Sequence, residues 1–491
     1  MSSDSENIQI TVAYGNGVGP YVMEAALAVL RYTHVPVHIE TVEIGELFYQ
    51  RGYESGMSLE AWETIRRNNI FLKAPITVPD DKNYKSLNVM LRKTLGLYAN
   101  VRKFTSYAPY IGQKYPDMDM VVIRENVEGI YAGTEHHQTH DAYQSLRLTT
   151  ATGTRKIISY AFDYAARYGY KKITCMTKDS LMPMVDGLFC QIFDEYAKHY
   201  PDIKAEHMSI DEGAAKIAST PEEFGVVVTG NLYGDIISQI ATEICGFGNI
   251  LATQNIGDKY SLFEPVHGSR AEIEDDQTAD PSAMIHAMTM MLVHLGHYRK
   301  ADMVNNAWLK TIEDGIHTAD IFTKGVSKEK VNTIEFTRAL IERMTKLPKK
   351  LPPSEFVQSS NYQSQPINIK SDKSEKEKKL IGVDVFFDFE DGGLESLVDN
   401  LHKATEKTAL KLQMVGTRGL KVWPDSRIFI WQDGDYWRGR FLPEGDEKKA
   451  THNDICQLLE SLNKLNMDFI KTENLYMFGK EEAGFSLVYG E

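Results

Sequence analysis

VVVTGNLYGDIISQIATEI, residues 226–244, joins a short apolar run to a helical pattern. Val226 to Thr229 has the length and β-branched composition of a buried strand, and apolar residues then recur at helical spacing from Ile236 to Ile244. Similar apolar runs alternate with helical patterns between Ile8 and about Thr345, at Ile10 to Tyr14, Met120 to Ile123 and Ile173 to Met176. Alternating strands and helices predict an α/β core.

Three polar residues follow strands of this predicted sheet: Arg124, Lys178 and Asp235. Ligands bind at the carboxyl ends of the strands in open α/β sheets. We therefore expect the three side chains to converge on one cleft rather than to be independent surface charges. Asp235 also opens the helical run, where its carboxylate oxygens are suited to hold a divalent cation.

A candidate anion site starts at SLNVMLR, residues 86–92. If a helix begins near Asn88, then Asn88 and Arg92 lie on one face, and the Ser86 hydroxyl caps the first exposed N–H groups. Arg102 follows in YANVR, residues 98–102. A helix N-terminus with two arginines is suited to an anion. Taken alone, the run fits a surface helix with ordinary arginines equally well.

The glycine-rich segment GNGVGP, residues 15–20, follows an apolar strand and precedes the helical pattern Tyr21 to Leu30. Its spacing is GxGxG, whereas the Rossmann fingerprint is GxGxxG. Pro20 is expected at the first helical position, where its missing N–H costs nothing. The segment thus predicts a tight strand-to-helix turn rather than a Rossmann dinucleotide site.

Neither the histidines nor the cysteines show a strong metal signature. His136 and His140 have the spacing of a helical metal pair, but their neighbours, including His137, lack an apolar stripe, so an exposed loop or hairpin is favoured over zinc. The cysteines show no CxxC or other metal spacing, which favours a reducing compartment and thiols that act as small apolar side chains. They are Cys175, Cys190, Cys245 and Cys456.

The chain of 491 residues is long for one core, since single cores stop growing near roughly 250 to 300 residues, and this length favours two or three domains. Between Leu347 and Lys379 the periodicity gives way to proline, serine, glutamine and charged residues, which predicts a flexible linker. We therefore divide the chain into residues 1–346, the linker 347–379 and a small α+β appendage at 380–491. The appendage shows a strand at Ile381 to Phe387, two strands within Ile428 to Phe441, and helices at Leu394 to Lys407 and Ile455 to Leu465.

The formal charge is −14, from 54 lysines and arginines against 68 acidic residues. A global basic surface for nucleic acid is therefore excluded, although a local cationic pocket is compatible with this balance. The acidic N-terminus is unlike a signal or transit peptide, and no apolar run approaches membrane length. We expect a cytoplasmic protein with no nucleic-acid or membrane partner.

Several motifs in order resemble the isocitrate and isopropylmalate dehydrogenase family of metal-dependent β-decarboxylating dehydrogenases, over roughly Ile8 to Leu347. This resemblance implies a two-lobed α/β fold that is not a Rossmann fold. The Ser-x-Asn pattern before Arg92 is similar to the isocitrate enzymes, and the appendage, with GTRGLKVWP at 416–424, resembles the long bacterial isocitrate dehydrogenases of the Thermus and Rickettsia type. The motifs are the GxGxGP turn, SLNVMLRK at 86–93, YANVR at 98–102, RENVEGIYAG at 124–133, GNLYGDIIS at 230–238 and FEPVHGS at 263–269.

The resemblance implies the oxidation and decarboxylation of isocitrate to 2-oxoglutarate, a step of the tricarboxylic acid cycle. It assigns removal of the hydroxyl proton to Lys178, protonation of C3 to Tyr131, and binding of Mg²⁺ or Mn²⁺ to Asp211 and Asp235. Because the family shares its sites between subunits, it also implies a homodimer in which Lys178 and Asp211 serve the partner's site. The implied substrate-binding residues are Ser86, Asn88, Arg92, Arg102 and Arg124.

The resemblance also implies a nicotinamide cofactor, and the residues after the His-Gly motif predict NAD. Family members that prefer NADP usually carry lysine and tyrosine there to hold the 2′-phosphate, whereas this chain has Glu272 and Ile273. An acid would repel phosphate and accept from ribose hydroxyls. Arg270 and Lys324 leave NADP open. The implied cofactor-binding residues are Thr77, Glu264, His267, Gly268, Glu272, Ile273, Asp280 and Asp320.

Some positions depart from the family pattern. Gln239 stands one helical turn after Asp235, where the family has a second metal-site aspartate, so we expect weaker cation binding. Asn16, Tyr21, Ser180 and residues 80–83 also differ. The departures keep two alternatives open: a catalytically weak regulatory or structural subunit, and a dehydrogenase of a related 2-hydroxy acid such as homoisocitrate.

Overall fold

The computed structural model describes residues 8–53, 55–77, 86–111, 114–246, 248–270, 278–356, 377–390, 392–424, 434–445, 449–479 and 482–487. The chain forms two compact units. The large unit comprises Met1–Ala132 and Arg147–Gln365, and the small unit comprises Gly133–Leu146 and Pro366–Glu491.

The strands alternate with the helices along most of the chain. The strands are β1 (Ile8–Ala13), β2 (Val37–Thr41), β3 (Ile70–Lys73), β4 (Ala99–Thr105), β5 (Asp119–Glu125), β6 (Glu135–His137), β7 (Tyr143–Ser145), β8 (Lys172–Thr177), β9 (Lys204–Ser209), β10 (Val226–Thr229), β11 (Ala252–Ile256), β12 (Ser261–Pro265), β13 (Ile316–His317), β14 (Glu329–Lys330), β15 (Lys378–Asp388), β16 (Leu410–Thr417), β17 (Leu420–Trp423), β18 (Tyr436–Pro443), β19 (Asp468–Phe478) and β20 (Glu482–Ala483). The helices are α1 (Gly19–Thr33), α2 (Glu46–Gln50), α3 (Leu59–Asn68), α4 (Leu87–Thr94), α5 (Ala151–Arg167), α6 (Val185–Ala197), α7 (Ile210–Ser219), α8 (Asn231–Cys245), α9 (Ser282–His294), α10 (Tyr298–Glu313), α11 (Thr333–Ile341), α12 (Gly393–Thr405) and α13 (His452–Lys464).

In the large unit, ten of the described strands form one mixed sheet in the order β2-β1-β3-β12-β11-β4-β5-β10-β8-β9. Its pairs are parallel except at the centre, where β4 is antiparallel to β5 and β11, and β11 is antiparallel to β12. Helices α1, α9, α10 and α11 contribute to a core that contains the fully buried Trp308. The predicted α/β class is confirmed.

In the stretch 226–244, helix α8 begins at Asn231, one turn before the predicted opening at Asp235, whereas β10 is fully buried between β5 and β8, as predicted. Its last residue, Thr229, is in register with Arg124 on β5 and with Met176 on β8. The carboxyl ends of three parallel strands therefore lie side by side. Helix α8 passes so close to β5 that a Cβ on Gly234 would lie 2.6 Å from Cγ of Arg124, so this position requires glycine.

The segment 15–20 is a strand-to-helix turn, as predicted. Gly15 and Gly17 have positive φ angles of 69° and 56°, and a Cβ on Gly15 would lie 1.9 Å from the Pro75 carbonyl oxygen. A side chain at Gly15 is therefore excluded both by φ and by close packing. Helix α1 begins at Gly19, so Pro20 occupies the second helical position and not the predicted first.

The small unit contains an antiparallel sheet in the order β17-β16-β18-β15-β19-β20. Without the short strands β17 and β20, the chain order is βαββαβ, the split arrangement of ferredoxin-like domains. Leu401 of α12, Leu458 of α13 and Phe441 of β18 share its buried core. The predicted α+β appendage is confirmed. Strand β15 begins at Lys378, inside the predicted linker, and residues 357–376 and 425–433 lie outside the described ranges.

The histidine-rich segment forms a hairpin of β6 and β7 that belongs to the small unit. The backbone N–H of Asp141 donates to Asp435 Oδ2 at 3.3 Å, and Lys471 Nζ donates to Gln144 Oε1 at 3.1 Å. His137 stacks on Tyr143 with the ring centroids 4.0 Å apart. The predicted hairpin is confirmed.

None of the helices in the described ranges is both long and apolar enough to cross a bilayer.

Candidate active site

Arg124, at the end of β5, is fixed by side chains of α8. Its Nε and Nη2 donate to Asn231 Oδ1 at 3.1 and 2.8 Å, and its Nη1 is ion-paired with Asp235 Oδ1. The Tyr131 ring centroid lies 5.1 Å from the guanidinium carbon, and the Tyr131 hydroxyl donates to Asp235 Oδ2 at 2.7 Å. Three of the predicted residues thus form one contact group, in which both oxygens of Asp235 accept hydrogen bonds.

Arg102 and Arg92 lie beside this group with donors that lack partners. Arg102, on β4, is 6% exposed, and its Nε and Nη1 have no hydrogen-bond partner among the described residues. The Nε of Arg92 on α4 is likewise buried without a described partner. Burial and the charges of Arg124 and Arg92 lower the pKa of Arg102 to about 10. Because buried donors without partners cost free energy, these atoms indicate the position of an anionic ligand.

The start of α4 differs in part from the prediction. Asn88 and Arg92 share a helix face, and Asn88 Oδ1 is buried with no partner in the described part of the chain. Ser86 occupies the N-cap position, but its side chain makes no capping hydrogen bond, so the predicted cap is wrong. The hydroxyl is therefore not used by the helix.

Glu264 is buried with two cations on the same side of the sheet. Its Oε2 lies 2.8 Å from Lys73 Nζ, its Oε1 lies 3.5 Å from Arg92 Nη2, and Asn255 Nδ2 donates to Oε1 at 3.0 Å. Burial raises the pKa of Glu264, but the charges of Lys73 and Arg92 outweigh burial and hold the pKa at about 2. The resemblance assigned Glu264 to the cofactor, whereas its carboxylate faces Arg92. Sequence reasoning missed Lys73, although a lysine inside the apolar run 70–76 is a signal.

Lys178 and Asp211 form a second group. Lys178 Nζ donates to Asp211 Oδ1 at 2.6 Å and to Ser209 Oγ at 3.1 Å, and the bond from Lys178 lowers the pKa of Asp211 to about 2. Within the described residues, no hydrogen bond or ion pair joins this group to Asp235, Tyr131 or the arginines. Convergence on one cleft within the chain was thus correctly predicted for Arg124 and Asp235 but not for Lys178.

A cavity of about 240 Å³ is lined by residues that contact members of the two groups, and its lining includes Asn231, Arg147, Asp186 and Tyr233. Asp186 Oδ2 accepts from the backbone N–H of Lys178 at 2.7 Å, and Asp186 Oδ1 lies 2.5 Å from Arg147 Nη2. Sequence reasoning missed Arg147 and Asp186. They position the strand end that carries Lys178.

Hydrogen bonds connect the residues near the predicted nicotinamide position. Thr77 Oγ1 lies 2.9 Å from Ser269 Oγ, and the Thr77 N–H donates to Asn16 Oδ1 at 3.2 Å. Nδ1 of His267 lies 3.0 Å from the carbonyl oxygen of the exposed Gly268, while its buried Nε2 has no partner in the described ranges. Burial lowers the pKa of His267, which keeps the imidazole neutral at pH 7.

The predicted adenosine residues Asp280 and Asp320 are linked through Thr318. Its hydroxyl lies 3.0 Å from Asp280 Oδ2 and 2.7 Å from Asp320 Oδ1, and burial together with the charge of Asp320 raises the pKa of Asp280. Asn249 connects this pair to the Arg270 guanidinium. Its side chain donates to Asp320 Oδ2 at 3.0 Å and accepts from Arg270 Nη2 at 2.7 Å. Glu272 and Ile273 lie outside the described residues.

Known proteins are similar to the chain over its whole length. Isocitrate dehydrogenase [NADP] of Rickettsia felis is 45% identical, with 99% of this chain and 100% of the relative covered. Isocitrate dehydrogenase [NADP] of Thermus thermophilus is 34% identical, with 98% and 96% covered. A crystal structure of a Thermus thermophilus protein superposes with a TM-score of 0.86 and 33% identity, with 100% of this chain and 98% of that chain covered.

The names of these relatives overturn the predicted preference for NAD. That prediction depended on Glu272 and Ile273, whereas the cation at Arg270 donates to Asn249, which in turn donates to Asp320.

Residues 9–340 match the model of the Isocitrate/isopropylmalate dehydrogenase family. Residues 378–491 match the model of the bacterial isocitrate dehydrogenase C-terminal domain. The chain therefore belongs to the isocitrate/isopropylmalate dehydrogenase family and carries the C-terminal domain of its bacterial isocitrate branch.

Proposed function

We propose that the chain oxidises isocitrate with NADP⁺ and releases 2-oxoglutarate, CO₂ and NADPH. The observation that carries the proposal is the excess of buried positive charge at Arg92 and Arg102. Both side chains lie beside Arg124 and have buried hydrogen-bond donors without a partner among the described residues. Three guanidinium groups suit the three carboxylates of isocitrate, since each can form paired charge-assisted hydrogen bonds. The names of the full-length relatives support the same substrate and cofactor.

Tyr131 is suited to protonate C3 after CO₂ leaves. Partial burial and the hydrogen bond to Asp235 raise the pKa of Tyr131, so its hydroxyl keeps its proton near pH 7. In the balanced reaction, the C2 hydrogen leaves as hydride for the nicotinamide and the hydroxyl proton leaves toward the Lys178–Asp211 pair of a second copy of the chain. The bond from C3 to its carboxylate then breaks, and C3 gains the Tyr131 proton.

Asp235 and Asp211 would hold the divalent cation. Carboxylate oxygens suit Mg²⁺ or Mn²⁺, and the side chains are 33% and 69% exposed, so a cation has access to both. When bound, the cation would polarise the C2 oxygen and stabilise negative charge there. Gln239, exposed one turn after Asp235, offers a neutral amide in place of a carboxylate, so we expect weak cation affinity.

The separation of the two groups supports a homodimer. Lys178 and Asp211 contact each other rather than Asp235, and a second copy of the chain would bring its Lys178 and Asp211 to the arginine site. An equal mixture of Arg102→Met chains and Lys178→Ala chains, each impaired by itself, is then expected to be more active than either variant alone. Mixtures that are no more active although the subunits exchange would contradict shared sites.

Arg270 is the cation that we assign to the 2′-phosphate of NADP⁺. Its guanidinium reaches Asn249, which contacts Asp320 in the predicted adenosine pocket. We expect Arg270→Ser to lower kcat/KM for NADP⁺ by about 10-fold or more while kcat/KM for NAD⁺ changes little, since a hydrogen bond to a charged group is worth about 1.5–3 kcal/mol. Equal losses with both cofactors would contradict this assignment.

A steady-state assay of the purified chain tests the reaction, with isocitrate or homoisocitrate, Mg²⁺ or Mn²⁺, and NADP⁺ or NAD⁺. We expect isocitrate and NADP⁺ to give the highest kcat/KM. Bound isocitrate without turnover would favour the regulatory subunit, and faster turnover of homoisocitrate would favour the related dehydrogenase. Arg31→Met serves as the control for Arg102→Met, because Arg31 is an exposed arginine on α1.

A further inference from the structure

Cys175, Cys190 and His207 form a cluster that the proposed reaction does not use. Their candidate ligand atoms, two Sγ and one imidazole nitrogen, all lie within 4.8 Å of one another. The chain spacing of the cysteines predicted thiols that act as small apolar side chains and gave no signal of this cluster. Both cysteines are free thiols.

Secondary structure brings the three residues together. Cys175 on β8 and His207 on β9 are register partners on neighbouring parallel strands, so their side chains point to the same face of the sheet. Cys190 lies on α6, which packs against both strands. The Phe193 ring, one turn after Cys190, contacts the His207 ring at a centroid distance of 5.1 Å. The ligands are therefore carried by rigid elements.

Two further residues orient the cluster. Asp194, also on α6, has Oδ1 2.7 Å from Nε2 of His207, which leaves Nδ1 for a second partner. The Thr177 hydroxyl lies 3.3 Å from Cys190 Sγ. A carboxylate behind a histidine is the usual outer shell of a histidine-ligated metal, because it fixes the ring and raises its basicity.

We propose that Cys175, Cys190 and His207 bind one thiophilic divalent cation of the Zn²⁺ class. Two sulfurs and one imidazole suit zinc and exclude Mg²⁺ and Mn²⁺, which prefer oxygen. Two thiolates on one zinc lie about 3.8 Å apart, so small side-chain adjustments complete the set. Cys175 is buried, Cys190 is half-buried and His207 is exposed, which leaves an entry path and a fourth position for water.

This site is distinct from the carboxylates assigned to Mg²⁺, but two of its residues lie on the strands that lead to Lys178 and Asp211. Lys178 follows Cys175 at the end of β8, and Asp211 follows His207 just beyond β9. A cation that joins β8, β9 and α6 would stiffen the strand ends that carry the Lys178–Asp211 pair. The proposal itself needs no catalytic activity, so its failure would leave the proposed reaction untouched.

Equilibrium dialysis of the full chain against Zn²⁺ in excess Mg²⁺, followed by elemental analysis, tests the site. The Mg²⁺ saturates oxygen sites, and we expect one remaining zinc per chain. Cys190→Ser and His207→Gln should lose it, while Cys456→Ser and His199→Gln, which alter an exposed cysteine and an exposed histidine outside the cluster, should keep it. Asp194→Asn should weaken zinc binding about 10- to 100-fold.

Alkylation of the unmodified chain provides a test that needs no variant. Bound Zn²⁺ should protect Cys190 from iodoacetamide and leave Cys456 reactive, and Cd²⁺ should give a thiolate charge-transfer band with the same stoichiometry. Zinc that binds equally to Cys190→Ser, or that leaves Cys190 unprotected, would overturn the proposal. Zinc displaced by excess Mg²⁺ would overturn it as well.

Discussion

Arg440 in the small unit and Arg102 in the large unit are both buried, but their donors are satisfied differently. Arg440 donates from Nε and Nη2 to the two oxygens of Asp384 at 2.8 and 3.0 Å and reaches the Ser486 carbonyl at 3.3 Å. Arg102 has two donors without a partner among the described residues, and the positive charges of Arg92 and Arg124 act on it. We therefore expect loss of Arg440 to reduce stability and loss of Arg102 to reduce ligand binding.

The largest expected effect is the loss of stability when Arg440 is replaced. Arg440→Met should lower the free energy of unfolding of the small unit by up to about 3–5 kcal/mol, because the buried Asp384 loses its two hydrogen bonds from Arg440 and, among the described residues, keeps only Arg438, whose Nη1 lies 3.6 Å from Oδ2, as a counter-charge. Urea unfolding, with hydrogen exchange on β15 and β18, measures it. Lys464→Met, which removes an exposed ion pair with Glu460, is the control and should have a much smaller effect. Asp384→Leu combined with Arg440→Met should recover much of the loss, and no recovery would show that packing dominates.

Arg102→Met should separate binding from stability. We expect kcat/KM for isocitrate to fall about 10- to 150-fold, since hydrogen bonds to a charged group are worth about 1.5–3 kcal/mol. The free energy of unfolding should not fall, because a buried like charge and two unmatched donors are removed. Steady-state kinetics and urea unfolding of the same preparation measure the two effects. A loss of stability as large as that of Arg440→Met would refute the contrast.

Glu264 should give the large unit an acid-dependent component of stability. Its folded pKa of about 2 lies below the ordinary value of 4.5, so the stabilisation is complete above pH 4.5 and is lost as the pH falls toward 2. The difference in the free energy of unfolding between the wild type and Glu264→Gln should shrink by about 2 kcal/mol between pH 6 and pH 3. Urea titrations across that range measure it, and a constant difference would mean that Lys73 and Arg92 do not hold the carboxylate ionised.

The smallest expected effect is stabilisation by ligand. Isocitrate at ten times its Kd should raise the free energy of unfolding of the large unit by about 1.4 kcal/mol, because it binds only the folded site. Hydrogen exchange should report protection on β4 and α4 and none on β15 or β18. Arg102→Met should lose this protection. Equal protection of both units would mean that isocitrate acts as a general solution additive and not through the site.

The strands and the Arg124–Asp235 contact were predictable from the sequence. Apolar runs mark buried strands, and parallel neighbours end at one edge, so a residue at the end of β5 meets a residue beyond the end of β10. The antiparallel centre of the sheet was not predictable, because alternation of strands and helices does not encode the order of strand partners.

Other parts of the site depend on register and on buried pairing. Cys175 meets His207 only because β8 and β9 pair in that register, and no local spacing encodes this contact. The role of Lys73 required knowledge that β3 lies beside β12, which carries Glu264. Lys178 was expected near Arg124 from its position after a strand, but its side chain turns toward Asp211.

The hairpin of β6 and β7 makes the small unit discontinuous in sequence. The chain leaves the large unit after Ala132, directly behind Tyr131, and returns at Arg147. A protease that cuts only between residues 357 and 376 should therefore yield two fragments that remain associated, because the hairpin residues 133–146 stay attached to the first fragment while they pack with the second. Release of the C-terminal fragment would require unfolding of this interface as well as the cut.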